Sequence, residues 1–119
     1  MSAPIQTPSP PDATASGLDQ NVAAALAYLL GWITGVVFLL TEPKNRFVRF
    51  HAMQSTIVFL ALNVVFFLLQ AIPLLGILLV VFFVIPASAL LWLLLMFKAY
   101  QGDWFRLPVV GDVAEQWLR

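Results

Sequence analysis

The chain has 119 residues, 61% hydrophobic and only 10% charged, with six basic and six acidic side chains that cancel to a formal net charge of zero. So few charges cannot cover a water-soluble domain of this size, so the missing solvent has to be lipid, and the zero balance excludes a chain-wide attraction to nucleic acid. With no cysteine, disulfide frameworks, thiol nucleophiles and cysteine metal sites are excluded too.

Residues 1–18 carry Pro4, Pro8, Pro10 and Pro11 among small polar residues, and the first basic residue of the chain is Lys44. That composition predicts a disordered tail and lacks the positive start of a secretory signal. The membrane domain then occupies 19–119. Its first span is predicted over about 22–41, with Asp19 as N-cap and Glu42-Pro43 closing it. Gly31 and Gly35 stand four apart on this segment, a small-xxx-small spacing that predicts close helix packing.

A basic loop follows, with Lys44, Arg46 and Arg49 interleaved with aromatics up to His51. Beside a membrane span this pattern suits the headgroup region, where lipid phosphates offset the unfavourable meeting of cations with a helix N-terminus. The second span is predicted over about 51–71. Thr56, Asn63 and Gln70 recur every seven residues along it and share one face. Amides cannot face lipid unpaired, so this face is expected to meet another helix, a second subunit or water.

Ile72-Pro73 makes a short uncharged turn into a third span, about 74–97, in which Pro86 predicts a kink. Beyond Lys98, residues 98–119 bring Tyr100, Trp104 and Phe105 beside Arg106 as an aromatic belt. Asp112 and Glu115 then signal the start of a short interfacial helix. The expected fold is therefore an all-α membrane protein of three transmembrane helices, with a disordered N-terminal tail and an interfacial C-terminal helix. Three crossings put every Lys and Arg on one face, which the positive-inside rule makes cytoplasmic, with the N-terminus outside.

The span interiors hold no Asp, Glu, Lys or Arg, and a nucleophile with its base or a set of metal ligands cannot be assembled. The expectation is a protein that is not an enzyme, carries no cofactor, and has the lipid bilayer, a homo-oligomer or a membrane protein as partner. A scaffold or accessory subunit is the first reading. An oligomeric channel or translocon-like component is the second, and a holin-like permeabilising protein the third.

Three stretches carry a resemblance. They are Asn21 through Tyr28, Gly31 and Gly35; Asn45-Arg46-Phe47-Val48-Arg49-Phe50-His51-Ala52-Met53-Gln54-Ser55; and Lys98-Ala99-Tyr100-Gln101-Gly102 with Leu107-Pro108 and Gly111-Asp112. In these the chain resembles the small prokaryotic membrane proteins of unknown function that are grouped with the twenty-kilodalton component of the chloroplast Tic translocon. The resemblance implies a prokaryotic plasma-membrane protein and singles out Asn45, Phe47, Arg49, Phe50, His51, Gln54, Ser55, Tyr100, Gly102, Pro108 and Gly111. It assigns none of them an activity.

Overall fold

The computed structural model describes residues 13–118 and is helical throughout, with no strand among them. Asp19 caps the first helix, α1 (Gln20–Leu26), by accepting from the Asn21 amide at 2.8 Å, as its position predicts. The helix then stops. Tyr28 to Gly31 close tight turns, and Gly31 adopts φ 67° before α2 (Trp32–Thr41) begins. Thr34 stitches this break, accepting from the Leu30 amide and donating to the Ala27 carbonyl, both at 3.0 Å. The continuous first span expected over 22–41 is therefore corrected to two short helices, because the left-handed backbone at Gly31 reverses the chain.

Contacts along α3 (Arg46–Leu69) give the direction of each limb. Near the start of α3, Asn45 donates to the Gln20 side chain at 3.2 Å. Gly31 lies beside Phe59, and its carbonyl accepts from Ser55 at 2.9 Å. Gly35 then packs on Ala52 and Thr56, and Arg49 donates to the Leu39 carbonyl at 2.7 Å. Thus α1 descends alongside α3 to about Phe59, and α2 climbs back. The two helices form a hairpin that penetrates about 20 Å beside α3, at about 1.5 Å per residue, and returns to the end it left.

Among the described residues, two helices are long and apolar enough to cross a membrane, Arg46–Leu69 and Leu75–Tyr100. At 24 and 26 residues, both exceed the roughly 20 needed for a 30 Å hydrocarbon core. The first starts five residues before the expected position 51. Asn45 caps it by accepting from the Val48 amide at 2.9 Å, so the helix already runs through the basic segment. The second consists of α4 (Leu75–Leu79), a π-helical turn (Val80–Val84) and α5 (Ile85–Tyr100) in succession. The disturbance expected at Pro86 takes the form of that π turn just before it, which absorbs the amide that proline lacks.

Packing is uneven along this pair. At the Arg46 end, α1, α3 and α5 enclose Ala23, Ala24, Ala25, Tyr28, Phe47, Val48, Leu95 and Ala99. The alanines let α1 sit close against both long helices. Toward the Pro73 turn the two helices stand alone, with Phe67, Leu68, Leu74, Phe82, Phe83 and Leu90 all 66% exposed or more. Water would not tolerate such a surface, whereas hydrocarbon makes it the favoured one.

The C-terminal strap, residues 101–109, crosses the packed end and leads into α6 (Val110–Trp117), which lies on α3. This short helix begins at Val109, with φ 67°, and has no side-chain cap. Asp112 sits in its first turn, so the expected capping pair does not form; Glu115 pairs with Arg106 instead. Of the tail expected to be disordered, residues 1–12 lie outside the described residues. The Ala15 and Ser16 amides donate to the Glu42 carboxylate at 2.6 and 3.1 Å.

Candidate functional site

The packed end combines a closed polar network with a cationic cavity. In the network, His51 is fully buried on α3, and its Nε2 meets the Asp103 carbonyl oxygen at 2.9 Å. A carbonyl only accepts, so Nε2 carries the proton and Nδ1 accepts from the Tyr28 hydroxyl at 2.7 Å. That hydroxyl oxygen accepts in turn from Gln54 Nε2 at 3.0 Å. Gln54 also donates to the Phe105 carbonyl at 3.1 Å and accepts from the Leu107 amide at 3.0 Å. Ser55 holds Gly31, and the Trp92 indole of α5 donates to the Tyr28 carbonyl at 2.7 Å. About one and a half turns of α3 therefore bind the hairpin and the strap at once, and α5 joins them through Tyr28.

The cavity, about 640 Å³, opens beside the first turn of α3. Lys44, Arg46 and Arg106 line it together with Gln20, Phe47, Phe50, Trp104, Glu115 and Leu118. Trp104 packs on Phe47 and Phe50 with ring centroids 5.1 and 5.4 Å away, and the Arg106 guanidinium lies 5.0 Å from the Phe50 ring.

The family model described as the magnetosome magnetite crystal formation protein family matches residues 16–114. The chain belongs to this family. The matched stretch spans the hairpin, both long helices, the strap and most of α6, so the family's extent and the packed architecture coincide. Relatives are similar over 74–95% of their own length. A UPF0132 membrane protein of Archaeoglobus fulgidus is 52% identical over 99 residues, covering 83% of this chain and 95% of the relative. A UPF0132 membrane protein of Methanocaldococcus jannaschii is 47% identical over 105 residues, covering 88% and 74%. A second from that organism is 44% identical over 104 residues, covering 87% and 93%. No solved structure matches. Membrane-protein relatives of archaeal origin support a prokaryotic membrane location for this family member.

Within the family member, the structure gathers most residues singled out by the second motif. Asn45 caps α3 and also donates to the Ala13 carbonyl at 2.9 Å. Phe47 and Phe50 flank His51, and Arg49 caps the carbonyl end of α2. Gly102, at φ 78°, faces Asn21, and Gly111 is buried against Arg106. Tyr100 and Pro108 are exposed.

Thr56, Asn63 and Gln70 have different surroundings. Thr56 and Asn63 donate back to the carbonyls of Ala52 and Phe59 in their own helix, at 2.8 and 3.1 Å. Only Thr56 lies against another element, at Gly35, while Asn63 and Gln70 are exposed. Gly35 lies close against Ala52 and Thr56 of α3, whereas Gly31 forms the turn. Sequence reasoning missed Thr34 and Trp92, and it gave Tyr28 and Glu42 no bonding role. Glu42 carried a signal, since a carboxylate at the end of an apolar run needs donors, and it is only 1% exposed.

Proposed function

We propose that this protein is a non-enzymatic scaffold or accessory subunit of a prokaryotic plasma membrane, with its packed end on the cytoplasmic side. The observation that carries the reading is the closed network. His51 has both ring nitrogens occupied, and the Gln54 and Ser55 side chains are spent on holding backbone. Residues so engaged fix a shape and leave no free base or nucleophile. A family described by magnetite crystal formation accommodates a protein that organises a membrane surface.

Orientation follows from the hairpin. Lys44, Arg46, Arg49, Lys98 and Arg106 all sit at the packed end, which the positive-inside rule assigns to the cytoplasm. Because α1 and α2 return to the same end, residues 13–20 join them there, and the N-terminal side becomes cytoplasmic in place of the external one expected from three crossings. The absence of native cysteine makes the test clean. Single cysteines at Ser16, Gln101 and Ile72 are labelled with a membrane-impermeant maleimide in right-side-out and inverted vesicles. Ser16 and Gln101 should react only in inverted vesicles and Ile72 only in right-side-out ones. Ser16 reacting from outside would overturn the hairpin topology.

A second reading, an oligomeric channel or translocon-like component, draws on the exposed amides of Asn63 and Gln70, which hydrocarbon does not satisfy and a neighbouring subunit would. Solute flux through liposomes that is lost in Asn63→Leu/Gln70→Leu, with the protein still folded, would favour it over the scaffold.

A further inference from the structure

We propose that the cationic cavity at the packed end is a binding site for the phosphate group of an acidic phospholipid, held by Lys44, Arg46 and Arg106 against a wall of Phe50 and Trp104. Three separate segments bring the cations together: the loop after α2, the first residue of α3, and the strap. Against them stands one carboxylate, Glu115, which pairs with Arg106. Among the described residues, Lys44 and Arg46 have no ion pair.

The helix gives an independent reason. The first turn of α3 contains no acidic residue, and its free amides add positive potential where Arg46 already sits. Arg49, the other cation of that turn, is engaged with the carbonyl end of α2. Among the described residues Arg46 has no such relief, and an anion in the cavity supplies it.

The rest of the cavity selects the source of the phosphate. A volume of about 640 Å³ far exceeds what an inorganic ion fills, and it falls in the usual range for an organic ligand. Its aromatic wall is built, since Trp104 packs edge-on against Phe47 and at a tilt against Phe50, and it offers apolar contact to the glycerol and first acyl carbons behind a headgroup. The site also lies at the membrane-edge end of α3, where such headgroups reside. Arg106 over Phe50 places a charge and an apolar face side by side.

The experiment uses the full chain in detergent, titrated with phosphatidylglycerol, phosphatidylcholine or glycerol 3-phosphate, and counts adducts by native mass spectrometry. Phosphatidylglycerol should bind at least about tenfold more tightly than zwitterionic phosphatidylcholine. At about fivefold per cation removed, Lys44→Gln/Arg46→Gln should weaken it by about 25-fold. Glu115→Gln should strengthen it, a sign that a purely structural role does not predict. Equal affinity for the two lipids, or a double variant that binds like wild type, would overturn the site. Glycerol 3-phosphate binding as tightly as the lipid would overturn the lipid as ligand and leave a soluble phosphate ester in its place.

Discussion

Gln54→Leu isolates the tie between α3 and the C-terminal strap. The substitution keeps nearly the same volume at a position with 0% exposure, so the loss is one of hydrogen bonding and not of packing. Three bonds go. The Tyr28 hydroxyl still donates to His51 and is not orphaned. The Phe105 carbonyl and the Leu107 amide lose their partner, and a buried group left unsatisfied costs about 1–3 kcal/mol. Both groups are only partly buried, which keeps the sum at about 2–4 kcal/mol after the added apolar burial is credited. At about 4–8 °C per kcal/mol for a small domain, the melting midpoint in detergent should fall by about 10 °C or more. Hydrogen exchange gives the local readout: the Leu107 amide should lose its protection while amides of α5 keep theirs. A midpoint within about 2 °C of wild type, well below the drop that two orphaned groups require, together with a protected Leu107 amide would refute the reasoning.

Other substitutions test neighbouring joints. Gly35→Ala puts a Cβ 2.5 Å from Thr56 Oγ1 and 2.7 Å from the Ala52 carbonyl oxygen. It should cost about 1–3 kcal/mol in detergent melts, and adding Thr56→Ala should recover only part, since the backbone oxygen stays. Gly31→Ala meets both φ 67° and the Phe59 Cβ at 3.1 Å, so it should destabilise by about 1–3 kcal/mol and increase cleavage by protease at residues 27–31. Arg49→Met removes the donor to the Leu39 and Glu42 carbonyls. It should cost about 1 kcal/mol and speed exchange in the last turn of α2, whereas unchanged exchange there would assign Arg49 to lipid alone.

The long helices were legible because length and apolarity are what a bilayer selects, and α3 and the 75–100 helix satisfy both. Position 46 reads as loop in the sequence because charges end a span, yet a helix capped by Asn45 continues through them once its end leaves hydrocarbon. The first segment was misread for a different reason. Twenty uncharged residues state that a stretch can sit in hydrocarbon and say nothing of whether it passes through. The turn at Gly31 is marked by one glycine and by Thr34, whose hydroxyl supplies the bonds the reversal breaks, and that pattern is indistinguishable in sequence from a packing glycine. The clustering of cations on one side survives the correction, since a segment that enters and returns leaves both its flanks where a crossing would have separated them. Individual roles in the motif from Asn45 to Ser55 were out of reach, because their partners lie tens of residues away: Asp103 is 52 positions from His51, and Leu107 is 53 from Gln54.

Those long separations bear on how the chain is made. The hairpin leaves the ribosome first, but Ser55, Trp92, Phe105 and Leu107, which hold its tip or complete the network around Tyr28, are all synthesised later. Thr34 satisfies the turn from within and Ser55 follows soon after, whereas the Tyr28 carbonyl waits for Trp92 and the His51 and Gln54 side chains wait for the strap. A chain cut short at the end of α5 would therefore hold both long helices and the hairpin's contacts with them, and would lack the strap's bonds to His51 and Gln54.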